Sequence, residues 1–144
     1  MTAYAASDPQ VQRLQTAPMV GPVTAVAIVA ALDTPARFAS AAHVTSYLGL
    51  VPREDSSGER QRRGPETRSA HPAVRALLVQ TAWRVWRSTT PALAALRAWA
   101  QHVAGRRGKR LAIVALARRL MRMLFAMWRA GRPFVAAGLD PVAA

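Results

Sequence analysis

From position 72 to position 130 the chain repeats apolar residues every three or four places and contains only two prolines, Pro72 and Pro91. Inside a helix, proline removes a hydrogen bond and clashes with the preceding turn. At the first helical position it is tolerated, because that N–H has no intrahelical partner. Pro72 and Pro91 therefore read as helix starts, and the spacing predicts helices from Pro72 to Arg87 and from Pro91 to about Ala104. A third runs from Gly108 to Ala130. Gly131 follows where a left-handed backbone is favoured, Arg129 lies in the last turn, and Pro133 blocks continuation.

The first half is more broken. Asp8-Pro9 offers an N-cap and a first-turn proline, predicting a short helix through Leu14 that Pro18 stops. Met19 to Ala25 reads as a turn feeding a helix to about Leu32. Asp33-Thr34-Pro35 then opens a segment in which Phe38, Ala42, Val44 or Thr45, and Leu48 recur at helical spacing until Gly49. Between Val51 and His71 the pattern fails: Pro52, Gly58, Gly64 and Pro65 punctuate a long polar loop rich in Ser and Arg. Loops beyond about 12–15 residues are uncommon inside compact domains and are usually functional or disordered. The fold class is thus all-α: a small helical domain with a helix-hairpin-helix-like N-terminal element, a long polar loop and three C-terminal helices. Its body is expected over residues 14–134, after a polar segment 1–13 and before a frayed tail 135–144.

Twenty basic residues face seven acidic ones in 144, a formal net charge of +13. Nineteen of the cations are Arg, whose planar fork suits phosphate and stacks on bases. Such a field attracts polyanions and makes nucleic acid the leading partner, with a GC-rich codon bias as the alternative source of Arg. The absence of Cys excludes disulfides, thiolate metal sites and thiol nucleophiles, and suits a reducing compartment. Neither apolar stretch spans a membrane. Ala17 to Leu32 is short and interrupted by Pro18, Gly21 and Pro22, and Leu111 to Trp128 carries Arg118, Arg119 and Arg122 in its middle. With no secretory signal evident, a cytoplasmic, nucleoid-associated protein without membrane partners is expected.

Three constellations could carry chemistry. No acid stands between Glu66 and Asp140, and Arg118 and Arg122 fall one turn apart, opposite the apolar row Ile113, Leu116, Leu120, Leu124 and Met127. They form either a phosphate-binding face or a merely solvated one. The Met19 to Ala25 turn is similar to a helix-hairpin-helix phosphate binder, with Gly21 and Thr24 in place, or is a simple packing corner. Ser56-Ser57-Gly58 presents a hydroxyl on a glycine-loosened loop beside Arg60, Arg62, Arg63 and Arg68, as nucleophilic attack on phosphorus would require, or as turn chemistry alone would produce. Trp83, Trp86, Trp99 and Trp128 suit core packing better than base stacking, since each sits among Leu, Val and Ala in an amphipathic helix. His43, His71 and His102 lack ligand spacing, so no metal site is expected.

Read in order, several segments form a recognisable series: Leu14-Gln15-Thr16-Ala17-Pro18-Met19-Val20-Gly21-Pro22-Val23-Thr24-Ala25, Arg37-Phe38, Tyr47-Leu48-Gly49-Leu50-Val51-Pro52, Ser57-Gly58, Arg63-Gly64 and Val74-Arg75. Together, over about Leu14 to Trp83, they resemble the C-terminal domain of the DEDD-type insertion-sequence transposases, the family that includes the Piv DNA invertase and the bridge-RNA-guided recombinases. On that resemblance, residues 1–13 are the end of a longer helix. It implies Ser57, with Ser56 as alternate, as a nucleophile for strand transesterification in DNA transposition through a phosphoserine link. It also implies Arg75 as a phosphate contact. The nucleic-acid-binding set becomes Gly21, Thr24, Arg60, Arg62, Arg63, Arg68, Arg75, Arg118 and Arg122.

The chain departs from the family at Met19, where the motif usually has glycine, and at Arg68-Ser69-Ala70-His71, where it has Lys-x-Gly-Asn. Its scattered acids, with Asp33, Glu54, Asp55 and Glu59 the nearest set, do not make the family's RuvC-like carboxylate cluster. The expectation is a truncated or split copy beginning just before the serine domain, without a cofactor of its own, the family's Mg2+ belonging to the RuvC-like half. Expected partners are DNA, a guide RNA, and a second copy or a RuvC-like partner. The alternative is a non-catalytic DNA- or RNA-binding or dimerisation remnant that modulates a full-length transposase.

Overall fold

The computed structural model describes residues 7–50 and 71–134. Among them are six α-helices and no strand: α1 (Pro9–Leu14), α2 (Pro22–Leu32), α3 (Ala41–Tyr47), α4 (Pro72–Arg87), α5 (Ala94–Arg107) and α6 (Lys109–Ala130). Single 3-10 turns precede α3 and α5 at Pro35–Arg37 and Pro91–Leu93. The protein is all-α over these residues.

Local chemistry sets most of the ends. Asp8 accepts a hydrogen bond from the Gln10 N–H at 2.8 Å, and Pro9 opens α1. Pro72 opens α4 as the sequence predicts, and Pro22 opens α2 within the turn expected to feed it. Gly131 adopts φ 69 at the end of α6. Its N–H bonds to the Trp128 carbonyl, and that of Arg132 to Met127, closing the last turn.

The expected helix from Pro35 to Leu48 is broken. Phe38 is extended, with φ −117, and Ser40 caps α3 by accepting from the His43 N–H. Phe38 keeps its place in the apolar pattern, which is why periodicity alone passes over the break. The structure likewise resolves the start at Pro91 into a 3-10 turn before α5.

α6 is the axis of the domain. α1, α3, α4 and α5 pack on it, while α2 is held by α1 and α4. Ile113, Leu116, Leu120, Leu124 and Met127 are buried as expected, and Ala117, Met121, Phe125 and Trp128 widen the stripe. Truncating one such leucine to alanine typically costs about 2–5 kcal/mol. Val11 and Leu14 are also fully buried, and Gln10 accepts a hydrogen bond from the Trp128 indole, so α1 belongs to the same core. Among the described residues, no helix is long and apolar enough to cross a membrane.

Candidate nucleic-acid interface

Residues 51–70, which hold Ser56, Ser57, Arg60, Arg62, Arg63 and Arg68, lie outside the described residues. Their two flanks are stitched together. The Tyr47 hydroxyl and His71 Nε2 are 2.9 Å apart, and their ring centroids lie 5.3 Å apart with the planes tilted by 49°. Arg75 on the first turn of α4 donates Nε–H to the Gly49 carbonyl at 3.0 Å. Leu50 is fully buried, with its N–H on the Thr45 carbonyl. An aromatic series continues inward, Tyr47 to Phe38 at 5.4 Å and Phe38 edge-on to Phe125 at 6.5 Å. Arg37 lies over Phe38 and donates to the Leu32 carbonyl at 3.0 Å. Arg75, expected to meet phosphate, thus has a positioning contact: it fixes the start of α4 against the turn that precedes the serine segment. His71 fills the place of the family's amide residue and bonds to Tyr47. Sequence reading missed both links because their partners lie 24 and 26 residues away.

The turn between α1 and α2 puts Met19 at φ 73, a left-handed backbone that a β-carbon disfavours. This is the position where the related motif has glycine. Gly21, by contrast, is extended, with φ −93 and ψ −178, and a Cβ built on it would meet nothing within 4 Å. Nothing among the described residues therefore requires Gly21 to lack a side chain. It gives α2 no side-chain cap, leaving the first-turn amides of Val23 and Thr24 without that partner. Thr24 itself is buried, 4% exposed. Its side chain is packed inside, and the helix-hairpin-helix reading calls on backbone amides at this turn rather than on the hydroxyl.

The third region lies between α5 and α6. The turn joining them carries Arg106, Arg107, Lys109 and Arg110, all exposed. Further along α6, Ala115, Arg118, Arg119 and Arg122 line a cleft of about 270 Å³ whose other wall is Trp99 of α5. Arg119 stands over the Trp99 ring at 4.6 Å. Arg118 and Arg122 are half-buried rather than fully solvated, because α5 packs alongside. The Arg118 Nε is buried and has no hydrogen-bond partner. A second, more open cleft is lined by Gln80, Trp83, Arg84 and Arg87 of α4, and Lys109 lies 5.4 Å from the centroids of both Trp83 and Trp86. Of the four tryptophans assigned to core packing, Trp128 is buried within the core and the other three pack against it. Trp83, Trp86 and Trp99 sit half-buried at the core's edge with cations on their faces. Trp99 and Arg119 were not recognisable from the sequence, since they meet only when α5 folds back on α6.

Residues 11–98 match the family model described as "Transposase IS116/IS110/IS902 family". The chain belongs to that transposase family. Curated relatives agree. One from Pseudomonas aeruginosa, named "Probable family 20 transposase", is 32% identical over 125 residues, covering 87% of this chain and 37% of the relative. The transposase for insertion sequence element IS1111A of Coxiella burnetii is 28% identical over 127 residues, 88% of this chain and 35% of the relative. The chain thus spans little more than a third of the length of these relatives. No solved structure matches it significantly. Within the transposase match lie the Met19–Thr24 turn, the Tyr47–His71 link and residues 51–70, while Trp99 and α6 lie beyond it.

Proposed function

We propose that this chain is the serine-bearing, nucleic-acid-binding part of a DNA transposase. The observation that carries the binding reading is the cationic α5–α6 hairpin. No acid stands on α4, α5 or α6, and Arg118 holds a buried donor without a partner. Leaving such a donor unsatisfied is unfavourable, and an entering phosphate oxygen removes the penalty. Gly21, with open space before it and uncapped amides behind it, adds a second phosphate contact. DNA is the proposed polyanion, with a guide RNA as a further partner.

Ser57 is the proposed nucleophile, by its place in the family series. Its Oγ attacks a DNA phosphorus in line, a serine–phosphate bond forms, and the bond to the leaving DNA oxygen breaks. That oxygen takes up a proton and departs as a hydroxyl, while the serine proton passes to a base. The number of phosphoester bonds is conserved, so rejoining needs no nucleotide. Arg60, Arg62, Arg63 and Arg68 would offset charge on the phosphorane. The tie between Arg75 and Gly49 and that between Tyr47 and His71 would hold both flanks of the serine segment. Asp8 and Asp33, the acids among the described residues, do not assemble a magnesium site, and no group of three or more His, Asp or Glu is gathered there. Metal-binding carboxylates are therefore proposed to come from a RuvC-like half, supplied on the same chain or by a partner.

Trapping tests this. With cognate DNA ends, magnesium and the RuvC-like half supplied, denaturing gels should show a protein–DNA adduct that Ser57→Ala abolishes and Ser56→Ala retains. Absence of any Ser57-dependent adduct would leave the second reading, a binding or dimerisation module without chemistry. That reading has its own support in the cationic α5–α6 cleft, whose lining residues are Ala115, Trp99 and three arginines.

A further inference from the structure

Resting on the nucleic-acid reading, we propose that the α5–α6 cleft is a seat for one unpaired nucleotide. Arg118 and Arg122 would hold its phosphate, and its base would stack on the Trp99–Arg119 pair. The shape of the cleft is the first reason. Its cations are half-buried in a concavity of about 270 Å³ between two helices. A duplex presents its phosphates on a convex rim and keeps its base faces inside the stack, so it offers such a cleft nothing to enclose. A single strand can splay a nucleotide into it.

The composition of the walls is the second reason. A seat for phosphate alone needs only donors, yet this one has Trp99 and Ala115 among its lining residues. Arg119 lies 4.6 Å from the Trp99 ring centroid, so a planar guanidinium extends the aromatic surface. Bases stack on aromatic rings and on arginine planes alike, and such stacking is tolerant of sequence. The third reason is the orphaned Arg118 Nε, a buried donor awaiting an acceptor. Arg118 and Arg122 repel one another one turn apart on α6, with no acid on α4, α5 or α6 to offset them. An entering phosphate would satisfy both the donor and the charge. The sequence reading favoured core packing over base stacking for Trp99 and gave Arg119 no role, and both lie past the end of the family match at residue 98.

The test is fluorescence anisotropy of the whole chain with three probes of equal length: a labelled single strand, the same sequence as a duplex, and an abasic single strand. The single strand should bind tighter than the duplex, and removing its bases should weaken binding by roughly tenfold, the value of one stacked base. Trp99→Leu should erase the difference between the base-bearing and abasic strands, and Trp99→Phe should preserve it. Arg118→Gln should weaken both strands by a similar factor; this variant remains informative should Trp99→Leu fail to fold. Equal binding of all three probes, unchanged by Trp99→Leu and Arg118→Gln, would overturn the nucleotide seat while leaving nucleic-acid binding intact. If no probe binds, the nucleic-acid reading itself falls.

Discussion

Arginines in two parts of this molecule have opposite circumstances. At the base of the serine segment, Arg37 donates to the Leu32 carbonyl and Arg75 to that of Gly49, each at 3.0 Å. Arg97 does the same for Thr90 where α5 begins. On α6, Arg118 keeps a buried Nε with no acceptor, and Arg118 and Arg122 line a cleft. A guanidinium seated on a main-chain carbonyl contributes to the fold. One whose Nε is buried without an acceptor costs the fold something, and so points to a ligand. Residue type and charge cannot separate these cases, because both regions read as basic.

The largest expected effect tests this contrast directly. Arg75→Met removes a charged hydrogen bond and should destabilise the domain by about 2 kcal/mol. In urea unfolding this would appear as a lower midpoint at unchanged slope. Arg118→Met removes an orphaned donor and should leave the midpoint unchanged or raise it. If both variants lose stability equally, the distinction fails. Tyr47→Phe comes next. It retains the ring contacts to Phe38 and His71 but deletes the hydroxyl between Tyr47 and His71, and should cost about 1 kcal/mol.

Met19 sharpens the comparison at the backbone. Glycine is ordinarily less stabilising than alanine, but at φ 73 the order should reverse, with Met19→Gly more stable than Met19→Ala by about 1 kcal/mol. Thermal melts of the two variants decide it. The smallest effect on folding is expected at Gly21. Gly21→Ser adds a capping hydroxyl and should change stability by only about a few tenths of a kcal/mol. It should nonetheless weaken DNA binding, because it fills the space before the α2 amides. Unaltered affinity would reduce the α1–α2 turn to a packing corner.

What the sequence made legible was local. Asp8-Pro9, Pro22, Pro72 and Gly131 mark helix ends through contacts within a turn, and the period of α6 predicts Ile113, Leu116, Leu120, Leu124 and Met127 in the core. Most of what escaped was decided at a distance. The Ser40 cap was masked by the continuing apolar period through Phe38. The resemblance makes Arg75 a phosphate contact, and only the folded chain shows that its Nε meets the Gly49 carbonyl. The spacing that placed Thr24 in a hairpin motif says nothing of its side chain, which the packing of α2 buries. Trp99 read as core until the α5–α6 hairpin placed Arg119 on its face.

The most direct test of the central claim is the affinity of the whole chain for DNA as salt is raised, measured beside Arg75→Met and Arg118→Met. Each neutralised phosphate releases counterions, so log K should fall linearly with log salt, by about 0.7 per contact on a single strand and about 0.9 on a duplex. The slope should become shallower by about one contact in Arg118→Met and stay unchanged in Arg75→Met. A flat line for the native chain, or a slope altered by Arg75→Met and untouched by Arg118→Met, would contradict the account.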